Sequence, residues 1–272
     1  MNIFMKGDND MSFKLGDFIV DRIQMATAET TDGSELLYVL TQLSDASIEV
    51  TAESKDAVDA EGNLIKRFWQ AKTGTFTATN AMLNLNVLGA KSGNDPFMAT
   101  NDNIINMPKI IVTKATDRTV DVPDAVTGSI VVNAFTNDGS LGKAYTIGST
   151  ASETEFAVSG TTLTLPTDTS NTEKFIIKYE RRVSDGVRIV NTAGNYPKTV
   201  KLTLKAVGVT PCEPDVLTAL YIVLPSFQPS PETTINLTTD GQLDFNGDLQ
   251  IGYCGDEKVL YEIFAAADDE ED

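Results

Sequence analysis

The sequence contains no histidine. That removes the commonest general base, the usual proton shuttle and the imidazole metal ligand, and with them any serine–histidine triad. Cysteine is scarce as well: Cys212 and Cys254 are too few for a disulfide framework and have no C-x-x-C spacing. Two independent reduced thiols are the expectation, with a pair meeting in the fold as the alternative. Tryptophan occurs once, at Trp69, and aromatics make up 7% of the chain. No apolar run approaches the roughly 18 to 20 residues that cross a bilayer. The opening "MNIFMKGDNDMSFKLGDF" has acids where a signal peptide would have its apolar centre, so export by that route is not expected. Bases are also in short supply, with 21 against 39 acids and a formal charge of −18. Such a surface repels nucleic acid and anionic membranes.

What is present is β pattern. The 272 residues suffice for one large domain or two modest ones. Turn signals recur as "TDGS" at 31–34, "EGN" at 61–63, "NDGS" at 137–140, "SDG" at 184–186, "TDG" at 239–241 and "NGD" at 246–248. Between them lie runs rich in β-branched and aromatic residues, such as "GSIVVNAF", "KFIIKY", "TVKLTLKAV" and "LTALYIVLP". One segment changes rhythm. From Asn80 the apolar positions Ala81, Met82, Leu85 and Leu88 follow a helical stripe. An amphipathic helix of about three turns is expected there, capped by Asn80 and stopped at Gly89 or Gly93.

The stretch from 108 to 198 reads as a block of short strands with the size and rhythm of an immunoglobulin-like sandwich, without its Cys–Trp–Cys hallmark. The expected organisation is a discontinuous β core, 1–107 with 199–264, hosting that sandwich at 108–198. An acidic flexible tail would follow at 265–272.

Motifs that would carry chemistry fail on inspection. "KDAVDAEGNLIKRF" suggests a calcium loop, with Asp56, Asp59, Glu61 and Gly62. Setting Gly62 at the sixth position of an EF-hand places Ala57 first and Phe68 twelfth, so two ligand positions are lost. A long hairpin with "DAEGN" as its turn fits better. "NDGSLGKAY" has Gly142–Lys143, but Asn137 stands where a phosphate loop needs glycine, and Ala144 replaces the Ser/Thr. Acid pairs such as Glu213/Asp215 or Asp244/Asp248 are expected merely to solvate a surface so rich in acids. No catalytic, cofactor or metal residues are therefore expected.

The flanking segments resemble tail tube proteins of large bacteriophages. The resemblance rests on "SIEVTAESKDAVDAEGNLIKRFWQAKTGTFTATNAMLNLNVL", a strand, long hairpin, strand and helix. It rests equally on "LTALYIVLPSFQPSPETTINLTTDGQLDFNGDLQIGYCGDEKVLYEIF". The block with "SGTTLTLPT" and "FIIKYERRV" is similar to β-rich modules of virion proteins. The fold implied is mainly β: a sandwich or barrel core with one packed helix and a long hairpin, plus the inserted module. The function implied is structural, namely self-assembly into stacked hexameric rings that form a conduit for genome DNA. The partners would be further copies of the chain, other tail proteins such as a sheath or terminator, and DNA passing without specific binding. The place would be the virion tail, after assembly in the host cytoplasm. A capsid decoration or shell protein is the nearest alternative, and a carbohydrate-binding β-sandwich the alternative from another class. Assembly contacts are expected at Asp56, Asp59, Glu61, Gly62, Asn63, Lys66, Arg67 and Trp69 of the hairpin. A second basic spot is expected at Arg181 and Arg182.

Overall fold

The structure, a computed structural model, describes residues 17–270 apart from 115, 137, 168–173, 212, 240 and 253–257. Cys212, Cys254 and Asn137 thus lie outside the described residues. The chain forms two compact units: residues up to Asp95 with those from Ile189 onward, and Pro96–Arg188 between them.

The first unit opens with β1 (Ile19–Glu29), β2 (Leu36–Leu40), β3 (Leu43–Val58), β4 (Leu64–Asn80) and α1 (Leu85–Ser92). The second contributes β5 (Phe97–Met98), β6 (Ile105–Lys114), β7 (Thr119–Asp121), β8 (Val131–Phe135) and β9 (Leu141–Gly148). It continues with β10 (Glu155–Ser159), β11 (Thr162–Thr164), β12 (Lys174–Val183) and β13 (Val187–Arg188). The chain then returns to the first unit as β14 (Val200–Thr210), β15 (Glu213–Pro229), β16 (Leu243–Leu249) and β17 (Glu262–Glu270).

In the first unit the strand order is β2-β1-β14-β15-β16-β4-β3, with β17 beside β15. All of these pairings are antiparallel. It follows that β2 and β3, at the two ends of the order, run in the same direction. They are consecutive in sequence and separated only by Thr41 and Gln42. One bent strand therefore pairs first with β1 and then with β4, which curls the sheet into a nearly closed barrel. Leu40 and Leu43 on either side of the bend point into its core.

That core is built by strand alternation: even-numbered Phe76 and Ala78 of β4, Leu202 and Leu204 of β14, and odd-numbered Leu243, Phe245 and Leu249 of β16 are buried. Phe76, Phe227 and Phe245 form a mutual aromatic cluster with centroids 5.6–6.3 Å apart. Gly247 is required beneath it, because a Cβ there would come within 2.7 Å of the Phe227 ring and 2.2 Å of the Gln228 carbonyl oxygen. Helix α1 closes against the barrel through Val87 and Leu88. Lys91 in its last turn is buried and donates to the Asp244 carbonyl at 2.8 Å and Asn246 Oδ1 at 3.1 Å.

Two expectations need correction here. The helix is shorter than three turns and is capped by Asn84, whose Oδ1 accepts from Asn86 N and Val87 N. Asn80 is unavailable as a cap because it is still strand: it pairs with both Leu43 and Leu243, and its amide group donates to the Met82 carbonyl. Gly93, in the left-handed region at φ 67°, ends the helix. The stretch expected to be a free tail from 265 instead runs as strand through Glu270. The cause lies in β15, which outruns β16. Only Phe227–Pro229 pair with β16, and Thr218–Val223 take β17 on the same edge, satisfying backbone groups that would otherwise have no partner in the sheet.

The second unit has the order β6-β12-β8-β9-β10-β11-β7. Strand β9 belongs to two ladders. Its first half pairs antiparallel with β8, and its last residues, Thr146–Gly148, pair parallel with β10. The two halves of the order thus form sandwich-like sheets over a separate core that includes Val132, Tyr145, Phe156, Leu163, Phe175 and Ile177. Strands β5 and β13 make a two-stranded ribbon where the chain enters and leaves this unit.

Candidate assembly surface

A hairpin of β3 and β4 rises from the barrel. Beyond Gly74 of β4, which still pairs with Leu249 of β16, the two strands continue with no other strand partner among the described residues as far as Val58 and Leu64. Every residue from Leu64 to Thr73 is exposed, so neither face of this half of β4 meets a core. An isolated two-stranded ribbon is marginal in water. This one nevertheless displays Ile65, Phe68 and Trp69, with Trp69 66% exposed.

Its local order comes from cross-strand and same-strand pairs. Arg67 stands opposite Asp56 and donates from Nε and Nη2 to the two carboxylate oxygens at 2.8 and 2.9 Å. The hydrogen bonds from Arg67 hold the Asp56 carboxyl below its ordinary range, and those to Asp56 raise the guanidinium. Lys66 lies over the Phe68 ring and Arg67 over the Trp69 ring, 5.2 and 5.8 Å from the centroids. Because these are i, i+2 neighbours, each face of the strand carries one cation–aromatic pair.

The turn is closed by Asp59. Its Oδ1 accepts from Glu61 N at 3.0 Å and Asn63 N at 2.8 Å, and its Oδ2 accepts from Asn63 Nδ2 at 3.0 Å. Gly62 supplies the positive φ of 86° that the reversal needs. The Asn63 side chain first, then the backbone amides, draw the Asp59 carboxyl below its usual range. Two of the acids that suggested a cation loop, Asp59 and Asp56, are thus occupied in building the turn and the strand pair.

Strand directions define two ends of the barrel. Since β4 and β15 both run antiparallel to β16, they are parallel to each other. The β3–β4 turn and the β14–β15 connection therefore leave from one end. The opposite end carries the connections Thr30–Glu35, 81–84 leading into α1, 230–242, and the segment 189–199 leading into β14 with exposed Lys198. Among the described residues the first end also has unpaired edges: β4 from Leu64 to Thr73, the outer edge of β3 beside it, and the outer edge of β17, which bears exposed Ile263 and Phe264. The other end exposes Met82, Leu83, Leu85, Ile235 and Leu237.

Of the residues expected at assembly contacts, Asp56, Asp59, Glu61, Gly62, Asn63, Lys66, Arg67 and Trp69 are gathered on this hairpin. Arg181 and Arg182 lie on β12 in the other unit. There Arg182 N donates to the Asp124 carbonyl at 2.9 Å, and Arg181 Nε is buried without a hydrogen-bond partner among the described residues. The hairpin expected from Asp56 to Phe68 also holds exposed Ile65 and Phe68. Sequence reasoning missed the pair Ile235/Leu237, whose signal was apolar side chains in a polar loop.

A family model described as the YomU/Tube protein family matches residues 17–253. No curated protein matches the chain.

Proposed function

The chain belongs to the YomU/Tube protein family, structural proteins of the phage tail tube, and from that footing we propose that its copies close into rings of about six that stack into the tube. The observation that carries this reading is the projecting hairpin. Its apolar side chains stay exposed and its β4 edge from Leu64 to Thr73 pairs with no further strand among the described residues, and strand addition or face-to-face packing with further copies would cover both. The same hairpin residues, Asp56 to Trp69, are the proposed assembly contact.

Charge supports the proposed conduit role. Nine bases and eleven acids fall within Pro96–Arg188, a net −2, which leaves −16 of the formal −18 to the barrel unit. A lumen built from that unit repels phosphate, so DNA slides through it without adhering. The second unit serves as an Ig-like module carried by the tube-forming core. Arg181 and Arg182 offer it a basic contact toward acidic neighbours. The remaining partners in this reading are a terminator and, in a contractile tail, a sheath, with assembly in the host cytoplasm before incorporation in the virion. In this reading the protein acts by geometry and charge.

Electron microscopy of the purified chain tests the proposal. Rings and tubes about six subunits around are expected. A stable monomer at high concentration that binds glycans saturably would sink it in favour of a carbohydrate-binding sandwich. Closed shells or trimers would indicate a capsid role.

A further inference from the structure

Among the described residues Lys91 is the one charged side chain that is buried, at 2% exposure. Both acceptors of its ammonium are neutral: the Asp244 carbonyl oxygen at 2.8 Å and Asn246 Oδ1 at 3.1 Å. A buried charge held only by neutral partners is costly to keep.

The chain fixes both side chains in place. Lys91 lies in the last turn of α1, which is anchored in the core through Val87 and Leu88. The helix stops at Gly93, where an added Cβ would come within 2.3 Å of the Tyr196 carbonyl oxygen. Asn246 sits in the middle of β16 opposite Thr77 of β4, and its carbonyl accepts from Ser230 N at 2.8 Å. Alternation along β16 puts Asp244 and Asn246 on one face, while Leu243, Phe245 and Gly247 are buried on the other. Lys91 and Asn246 belong to the same barrel unit.

A primary amine is thus held against a carboxamide, largely out of water. The amide carbon is one covalent bond away from the Oδ1 that Nζ already meets, and a turn about Cβ–Cγ presents the face of the amide to the nitrogen. Fixed proximity of this kind can replace the activation that a free amide needs. Burial lowers the pKa of the ammonium, against the pull of Asp244 and Glu232, and so raises the share of nucleophilic amine.

We propose that Lys91 Nζ and Asn246 Cγ join in an intramolecular isopeptide bond that ties α1 to β16. The Nζ lone pair forms the new N–C bond, and the electron pair of the Cγ–Nδ2 bond leaves with Nδ2. Two protons pass from the Lys91 ammonium to Nδ2, carried by the Asp244 carboxylate, and ammonium ion departs. The buried charge departs with it, and a neutral amide remains. Before the bond forms Lys91 carries a titrating amine; afterwards it does not. The bond closes a loop that contains the whole second unit together with β14 and β15. Closing a long loop removes freedom mainly from the unfolded chain, so the linked barrel is harder to open. Both partners lie in one subunit, so neither ring nor tube is needed.

Intact-mass measurement of the purified full-length chain tests this. The parent is expected to be lighter than its sequence by one ammonia, and trypsin should release a branched peptide joining Lys91 to Asn246. Lys91→Met and Asn246→Ala should each show their full sequence mass. On a denaturing gel the linked parent should run ahead of both, since its unfolded chain keeps a closed loop. Asp244→Asn should reach a smaller linked fraction than the parent; an equal fraction would remove Asp244 from the step. Asn246 precedes Gly247, and a cyclic imide between them would lose the same ammonia. That product does not need Lys91, so equal loss from Lys91→Met would overturn the proposal. A parent at full sequence mass, or one without the branched peptide, would overturn it whether or not the variants fold. The tube reading stands or falls separately, by electron microscopy.

Discussion

Arg67 grips Asp56 across the projecting hairpin with two near-parallel hydrogen bonds, at a level where no other strand supports either residue. Both groups are exposed, so the pair contributes little to global stability. Its effect is local: it holds the Arg67 guanidinium over Trp69 and keeps the strands in register. Arg67→Glu sets like charges opposite one another. Its melting temperature is expected to stay close to the parent's, while tube growth followed by light scattering slows several-fold. Parental growth would show that strand register in this region is immaterial.

Trp69 is the single tryptophan, and it is exposed in the isolated subunit. Its fluorescence therefore reports on one place. On assembly the emission should move to shorter wavelength, and quenching by acrylamide should fall, in step with tube mass. Emission unchanged between subunit and tube would place Trp69 outside every contact.

The cluster of Phe76, Phe227 and Phe245 holds the barrel wall together at the root of the hairpin. Phe245→Ala removes a fully buried ring and is expected to cost about 3–5 kcal/mol in denaturant unfolding. Gly247→Ala should cost about 1–3 kcal/mol for the opposite reason, since its new methyl enters space held by Phe227 and the Gln228 carbonyl. A loss below about half a kcal/mol in either variant would contradict this packing.

Lys91 ties α1 to β16, and burial lowers the pKa of its ammonium from the ordinary 10.5. Lys91→Met keeps most of the volume and loses two hydrogen bonds, for an expected loss of about 1–3 kcal/mol at neutral pH. The sign of the pH dependence follows from the direction of the shift. Below the lowered value the charged group carries its desolvation cost in the folded state. That cost is relieved as pH rises from the lowered value toward 10.5. The stability difference between parent and Lys91→Met should therefore change across the window between the lowered value and 10.5.

The turns behave oppositely. Asp32 is drawn from 3.8 to about 2, first by the Thr30 hydroxyl and then by Ser34. Asp138 is lowered by the same T-x-D-G-S arrangement, with Thr136 as the leading partner. A carboxyl whose folded value lies below its unfolded one stabilises the turn above about pH 4 and loses that contribution as pH falls toward the folded value. Carbon-13 titration should find Asp32 still ionised at pH 3. A midpoint near 3.8 would mean the Thr30 and Ser34 contacts are not held in solution.

The features legible in the sequence were those set by local chemistry. Asp59, Gly62 and Asn63 announce their turn, and the length of β4 follows from its lack of breakers up to Gly74. The bend at Thr41–Gln42 was not legible. Nothing local tells a strand to leave one neighbour for another; the closing of the barrel decides it. Asn80 misled for a related reason. Asparagine caps helices as readily as it ends strands, and only its pairing with Leu43 and Leu243 separates the two roles. In "AAADDE" the acids concealed a strand that exists because β15 offers an unfilled edge.

The bent strand has a mechanical consequence. Strand β3 forms half of the hairpin, and through Thr41 and Gln42 it is one covalent line with β2, which pairs with β1. Tension applied at the hairpin tip along the strands loads the rungs of the β3–β4 and β1–β2 ladders side by side instead of opening them one after another like a zipper. A tube joined through such tips would resist stretching with many hydrogen bonds at once, and would yield to sideways peeling far sooner than to an axial pull.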